Sequence, residues 1–208
     1  MNDEPTNIIR DYPALAARSA ASILDPDAAL LDGVLSLSGE VDELAQEAWA
    51  EHRDNVLLEA GDVLWYIAVR LLPAFKWNDE RAAERWSFAG IINKIVDYEW
   101  VDTRSYFLIR NLIKYKLRLT EQVKKRHASA NNKGGPYYEH YQQRSWAREL
   151  THCNGPMADE VGYVLWGVYA ILREYGYTLE DALEANVAKL KARHPGGFDA
   201  DYASKEGE

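Results

Sequence analysis

Between Val56 and Leu72 almost every position is apolar, and the polar exceptions fall on one line. Val56, Leu57, Leu58, Val63, Leu64, Trp65, Ile67, Val69, Leu71 and Leu72 cover nearly the whole circumference of a helix. A helix of that kind is buried on most sides, so the chain must supply other elements to surround it. Glu59, Asp62, Tyr66 and Arg70 lie at i, i+3, i+7 and i+11, a single narrow stripe. Two carboxylates on a buried stripe are costly to keep ionised without a partner. This segment therefore asks for a helical bundle and for something that answers its acids.

Strand signals are weak along the rest of the chain and helical ones strong, which predicts an all-α fold. Helices are expected over Tyr12–Leu24, Ala28–Arg53 and Asn55–Leu72, the last stopping before Pro73. Less regular helix follows from Asp79 to Trp100, then a helix with a basic face from Tyr106 to His127. Most of the turn formers lie in residues 128–156, including Asn131-Asn132-Lys133-Gly134-Gly135-Pro136 and Asn154-Gly155-Pro156. That stretch reads as a long loop or insertion with a short helix near Gln142–Leu150. Helix resumes over Met157–Tyr175, and Thr178, with Asp181 three residues on, caps a last helix that ends near Pro195-Gly196-Gly197. The polar tail after Tyr202 is expected to fray.

The second expected helix also carries acids on one side. Glu40, Glu43 and Glu47 line up beside an apolar stripe of Leu37, Val41, Leu44 and Ala48. Like charges at these spacings oppose the helix by roughly 0.2–0.5 kcal/mol per pair unless something binds them. Two helices that turn paired acids to a common seam would make an oxygen-rich site, suited to a hard cation such as Mg²⁺, with Mn²⁺ as a substitute. His52 alone stands near this motif in helical register, which argues against zinc or di-iron. The simpler alternatives are a solvated face for Glu40, Glu43 and Glu47, and salt-bridged core residues for Glu59 and Asp62. Net charge points the same way as the acids. At −9 the chain has no surplus of cations with which to grip polymeric nucleic acid, and an acidic protein that handles phosphates needs a divalent cation. The only cysteine, Cys153, permits neither an internal disulfide nor a thiolate cage. The polar first ten residues are not a secretory signal, and no apolar run approaches a membrane span, so the cytoplasm is the expected compartment.

Glu59-Ala-Gly-Asp-Val-Leu-Trp-Tyr-Ile-Ala is echoed 101 residues later by Glu160-Val-Gly-Tyr-Val-Leu-Trp-Gly-Val-Tyr. Glu, Gly, Val, Leu and Trp recur in register. The echo suggests a duplication: a first unit over residues 1–78 with the acids, and a degenerate second unit over residues 79–208, packed as a pseudo-dimer within one compact domain. Such a chain would stand alone as a monomer or pair again as a homodimer.

Glu40-x-x-Glu43, fifteen intervening residues and Glu59-x-x-Asp62 resemble the signature of the MazG-like nucleoside triphosphate pyrophosphohydrolases. The surrounding Gly39-Glu-Val-Asp-Glu-Leu and Leu58-Glu-Ala-Gly-Asp-Val-Leu-Trp-Tyr are similar to that family's contexts. Asn186-Val-Ala-Lys189-Leu-Lys-Ala-Arg193-His-Pro-Gly-Gly-Phe is similar to its closing motif. The resemblance covers about Tyr12–Leu72 and Met157–Phe198. It implies a helical bundle in which Glu40, Glu43, Glu59 and Asp62 bind Mg²⁺ and catalyse attack of water on the α-phosphorus. One glutamate would serve as general base. The products would be the monophosphate and pyrophosphate, and the role nucleotide pool control or house-cleaning. It also implies phosphate contacts from Lys189 and Arg193, with Asn186 opening the motif.

The spacing departs from the family. Asp62 and Asn186 lie 124 residues apart, whereas Tyr163 and Asn186 lie 23 apart. The closing motif thus belongs to the second unit, which has Tyr163 where an Asp is needed and the basic run Arg110, Lys114, Lys116, Arg118, Lys124, Lys125 and Arg126 where the glutamates would be. One active site per chain is expected. The first unit would supply the metal ligands, the second cationic and aromatic groups, with Lys114 and Arg118 for phosphates. Trp65, Tyr66, Trp166 and Tyr169 are candidates for stacking on the base, with a core role as the simpler alternative. A rival reading from another class is a non-catalytic nucleotide- or metal-binding regulator.

Overall fold

In the computed structural model, which describes residues 7–20, 26–75, 77, 79–96, 105–131 and 146–194, every regular element is helical. The all-α expectation is met. Helix α1 (Ile8–Ala16) starts earlier than its periodicity indicated, because the Asn7 side chain accepts the Arg10 backbone N–H at 3.2 Å and caps it. A short 3₁₀ turn, Ala17–Ser19, follows. Helix α2 spans Pro26–Trp49 and α3 Arg53–Trp65. Helix α3 does not stop before Pro73: it continues through a π-helical stretch, Tyr66–Leu71, into a closing turn, Leu72–Ala74, that contains the proline. Pro73 falls just after the π-helical stretch, in which the Leu72 N–H still bonds back to the Ile67 carbonyl.

Helices α4 (Glu80–Arg85) and α5 (Phe88–Val96) are short. Helix α6 runs from Ser105 to Asn131, α7 from Trp146 to Glu174 and α8 from Leu179 to Arg193. The loop expected over residues 128–156 is thus smaller than its turn formers suggested. Helix α7 passes straight through Asn154-Gly155-Pro156. Met157, Ala158 and Val161 just beyond are at most 3 % exposed, and packing of such residues outweighs a local preference for turns. The capping of α8 is as expected, and reciprocal: Thr178 Oγ1 accepts the Asp181 N–H at 3.0 Å, and the Asp181 carboxylate accepts the Thr178 N–H at 2.8 Å. The remaining turn formers of the 128–156 stretch, Pro195-Gly196-Gly197 and the tail lie outside the described residues.

Helix α2 packs on α3 and on α6, α6 on α7, and α8 against α3 and α1. One apolar core runs through all of them, from Tyr12 and Leu37 through Leu64 and Leu112 to Leu165 and Leu183. Each fully buried leucine contributes on the order of 1.5–3 kcal/mol relative to exposure. Helices α3 and α8 come together at Gly61, where an added Cβ would lie 2.9 Å from Asn186 Cβ and 3.0 Å from the Ala182 carbonyl oxygen. Only glycine allows this approach, and it brings α8 onto the acidic stripe of α3. Among the described residues no helix is long and apolar enough to cross a membrane.

Candidate metal centre

The turn between α2 and α3 fixes which acids face the seam. Glu51 adopts φ 59°, a left-handed conformation that reverses the chain within a few residues. Glu47 is engaged in this turn, its Oε2 lying 2.7 Å from His52 Nδ1 and accepting the Asn55 amide at 3.0 Å. The third glutamate of the α2 row therefore acts as a tie between helices.

Glu40 and Glu43 remain, and α3 brings Glu59 to them. One carboxylate oxygen from each of the three lies within 4.8 Å of the other two. Oxygens that share one Mg²⁺ or Ca²⁺ ion are separated by up to about 4–5 Å, so the spacing fits a single hard cation. The electrostatics fit as well. Burial, reinforced by the negative charges of Asp62, Glu43 and Glu59, pushes the Glu40 carboxyl up to about 7. Burial, followed by the charge of Asp62, raises Glu59 above its ordinary range. Glu40 and Glu59, held this way, bind a proton or a cation more readily than acids in water do.

Asp62, the fourth acid of the signature, has another partner. The Asn186 amide donates to its Oδ1 at 2.9 Å, and Lys189 Nζ pairs with its Oδ2. Asn186 is itself fully buried, and its Oδ1 accepts the Tyr12 hydroxyl at 2.8 Å. A chain of side chains thus runs from α1 through α8 to the acidic face of α3. Tyr12 is part of this support although nothing in its sequence context distinguishes it from an ordinary core aromatic.

The other candidates divide clearly. Lys189 is the cation that bears on both Glu40 and Glu59, while Arg193, one turn on, lies exposed at the end of α8. Tyr66 is half-buried and hydrogen-bonds Ser36. Burial raises its phenol, and the Glu40 charge adds to this. Trp65 turns the other way: its indole N–H donates to Ser19 Oγ at 3.1 Å and to the Ala16 carbonyl at 3.3 Å. Lys114 and Arg118 are gathered at Glu160 on α7, with Arg118 Nη1 3.9 Å from Glu160 Oε1 and both cations over the Tyr115 ring. Within the basic run, Lys116 is 5 % exposed and pairs with Asp42 of α2 at 2.6 Å, which makes it a link between helices. Trp166 is half-buried, and Tyr169, 9 % exposed, belongs to the core.

Comparison of the chain with protein-family models, with curated proteins and with solved structures found no match in any of the three.

Proposed function

We propose that this chain is a Mg²⁺-dependent nucleoside triphosphate pyrophosphohydrolase of the MazG-like kind, which cleaves between the α- and β-phosphates. The observation that carries the reading is the convergence of Glu40, Glu43 and Glu59 from two helices, next to a lysine delivered by a third. Glu40, Glu43 and Glu59 would hold the cation, with Asp62 beside them. Bound there, Mg²⁺ would offset triphosphate charge and acidify an attacking water. Lys189 places a positive charge at the edge of this cluster, where a phosphate oxygen can replace the Asp62 carboxylate as its partner. A glutamate left outside the coordination would accept the proton of the attacking water.

The engagement of Asp62 with Asn186 and Lys189 favours a second reading, a protein that binds metal or nucleotide without turnover. One experiment separates the two. The purified protein is incubated with ribo- and deoxynucleoside triphosphates, with Mg²⁺ and with EDTA, and the products are resolved by chromatography. Metal-dependent monophosphate and pyrophosphate are expected. Diphosphate with orthophosphate would assign the wrong bond, and binding without any product would leave the second reading.

A further inference from the structure

Away from the acids, between α5, α6 and α7, lies a cleft of about 480 Å³, within the size range of small-molecule sites. Helix α7 forms one wall. Asp159, Gly162, Tyr163 and Trp166 follow at i, i+3, i+4 and i+7, the spacing of a single helix face, and all four line the cleft. This wall carries a carboxylate at one end and two rings at the other. Tyr163 stacks on Tyr115 at 4.4 Å with an interplanar angle of 13°, and 48 % of the residue is still exposed. A second wall brings a cation. Lys94 of α5 has its Nζ 5.1 Å from the Trp86 ring centroid, and Trp86 is backed by Trp77 in another stack, at 5.9 Å. Partial burial, then the charge of Arg85, holds the Lys94 ammonium below its ordinary range, and the charge of Asp159 acts the other way. Lys94 and Asp159 thus bear on each other, yet among the described residues no ion pair joins them. Between the carboxylate and the rings stands Gly162. Its counterpart in the echoed segment, Gly61, is covered by α8, whereas a Cβ at Gly162 would meet, among the described residues, only Ile91 Cγ2 at 4.0 Å. A glycine inside a helix weakens it relative to alanine, and the close packing that requires Gly61 does not call for one here. Its effect is to leave the floor of the cleft open.

We propose that this cleft is a binding site for a small zwitterionic aromatic molecule, with the chemistry of a free aromatic amino acid. The ring lies over Gly162 against Tyr163 and Trp166, the ammonium faces Asp159 and the carboxylate faces Lys94. Two opposite charges that are near but not joined match a head group that carries both. A ligand with a single charge would meet a like charge on Lys94 or on Asp159. From Asp159 to Tyr163 the helix advances about 6 Å, close to the span from head group to ring centre in such a molecule. Asn111, also in the lining, offers an amide to a hydroxyl or an indole N–H on the ring.

The full-length protein, in EDTA, would be titrated calorimetrically with L-phenylalanine, L-tyrosine and L-tryptophan. At least one should bind. Its deaminated and decarboxylated analogues should each bind at least about 10-fold more weakly, the range for a lost hydrogen bond to a charged group. Leucine, which keeps the head group and lacks the ring, should also bind more weakly. Gly162→Leu should fill the cleft and weaken binding at least about 10-fold while melting no lower than wild type, leucine being the better helix former. Asp159→Asn, on an exposed side chain, should bring the preference for the amino acid over its deaminated analogue below about threefold, a readout independent of the Gly162 variant. No binding of any of the three amino acids at millimolar concentration would overturn the proposal. So would analogues or leucine bound as tightly, full affinity in Gly162→Leu, or an unchanged preference in Asp159→Asn. Pyrophosphate release with Mg²⁺ is scored separately, so this site and the reading of the acidic cluster can fail independently.

Discussion

Removing the Asn186 side chain should be among the most damaging single changes in this protein, and it should be coupled to Tyr12. Asn186 is fully buried, donates to the Asp62 carboxylate at 2.9 Å and accepts the Tyr12 hydroxyl at 2.8 Å. A neutral buried hydrogen bond is worth about 1 kcal/mol, and one to a charged group about 1.5–3 kcal/mol. Asn186→Ala should therefore cost about 2.5–4 kcal/mol. For a chain of this length that lowers Tm by about 5–16 °C, at about 2–4 °C per kcal/mol. Tyr12→Phe should cost about 1–2 kcal/mol, since it leaves the Asn186 carbonyl buried without its donor. The two share one bond, so the double variant should be less destabilised than the sum by about 1 kcal/mol. Urea denaturation of the four proteins, followed by circular dichroism, measures this. Additivity to within about 0.3 kcal/mol, or a loss below about 1 kcal/mol for Asn186→Ala, would refute the claim that α1 and α8 jointly hold Asp62.

Three further outcomes follow from the same geometry. Glu59→Gln should reduce Mg²⁺-dependent pyrophosphate release at least 100-fold and leave the fold intact, since it removes one of three clustered charges; full activity would exclude Glu59 from the chemistry. The folded-state value of Glu40 is raised to about 7, so its contribution to stability is present in the ordinary carboxylate range and is lost as pH rises through about 7. Metal-free protein should accordingly melt at a higher temperature near pH 5 than near pH 8, the difference shrinking when Mg²⁺ is added or in Glu40→Gln; the same slope in Glu40→Gln as in wild type would contradict this. Gly61→Ala should separate α3 from α8 at a cost of about 1–3 kcal/mol, because the new methyl meets Asn186 Cβ at 2.9 Å and backbone oxygen at 3.0 Å. An unchanged Tm would show that the approach is looser than drawn.

What depended on local pattern was legible in the sequence. The apolar circumference of Val56–Leu72 announced a buried helix, its polar stripe announced the seam, and the Thr178–Asp181 spacing announced a cap. Helical register put Glu40 and Glu43 on one face of α2 and Glu59 on the stripe of α3, and the structure brings these two faces together. What depended on long-range packing was hidden. Turn formers at Asn154-Gly155-Pro156 lost to the burial of the turns that follow, and Pro73 was absorbed after a π-helical stretch. Pairings were hardest to read. Asp62 meets Asn186 and Lys189 across the bundle, Lys116 is spent on Asp42, and Glu47 on His52 and Asn55. Helical spacing ranks which side chains share a face, but it does not say which distant face they meet.

The tie between Asp62 and α8 has a consequence for the order in which the protein matures. Its partners lie 124 and 127 residues downstream, on a helix that leaves the ribosome after all the others described. A nascent chain holding α1 to α7 already has Glu40, Glu43 and Glu59, but neither the lysine beside them nor the amide that fixes Asp62. The surface around these acids is therefore completed only once α8 has been made and docks against Gly61. A chain cut short before Leu179 would carry the cluster of acids without the lysine and the amide that answer Asp62.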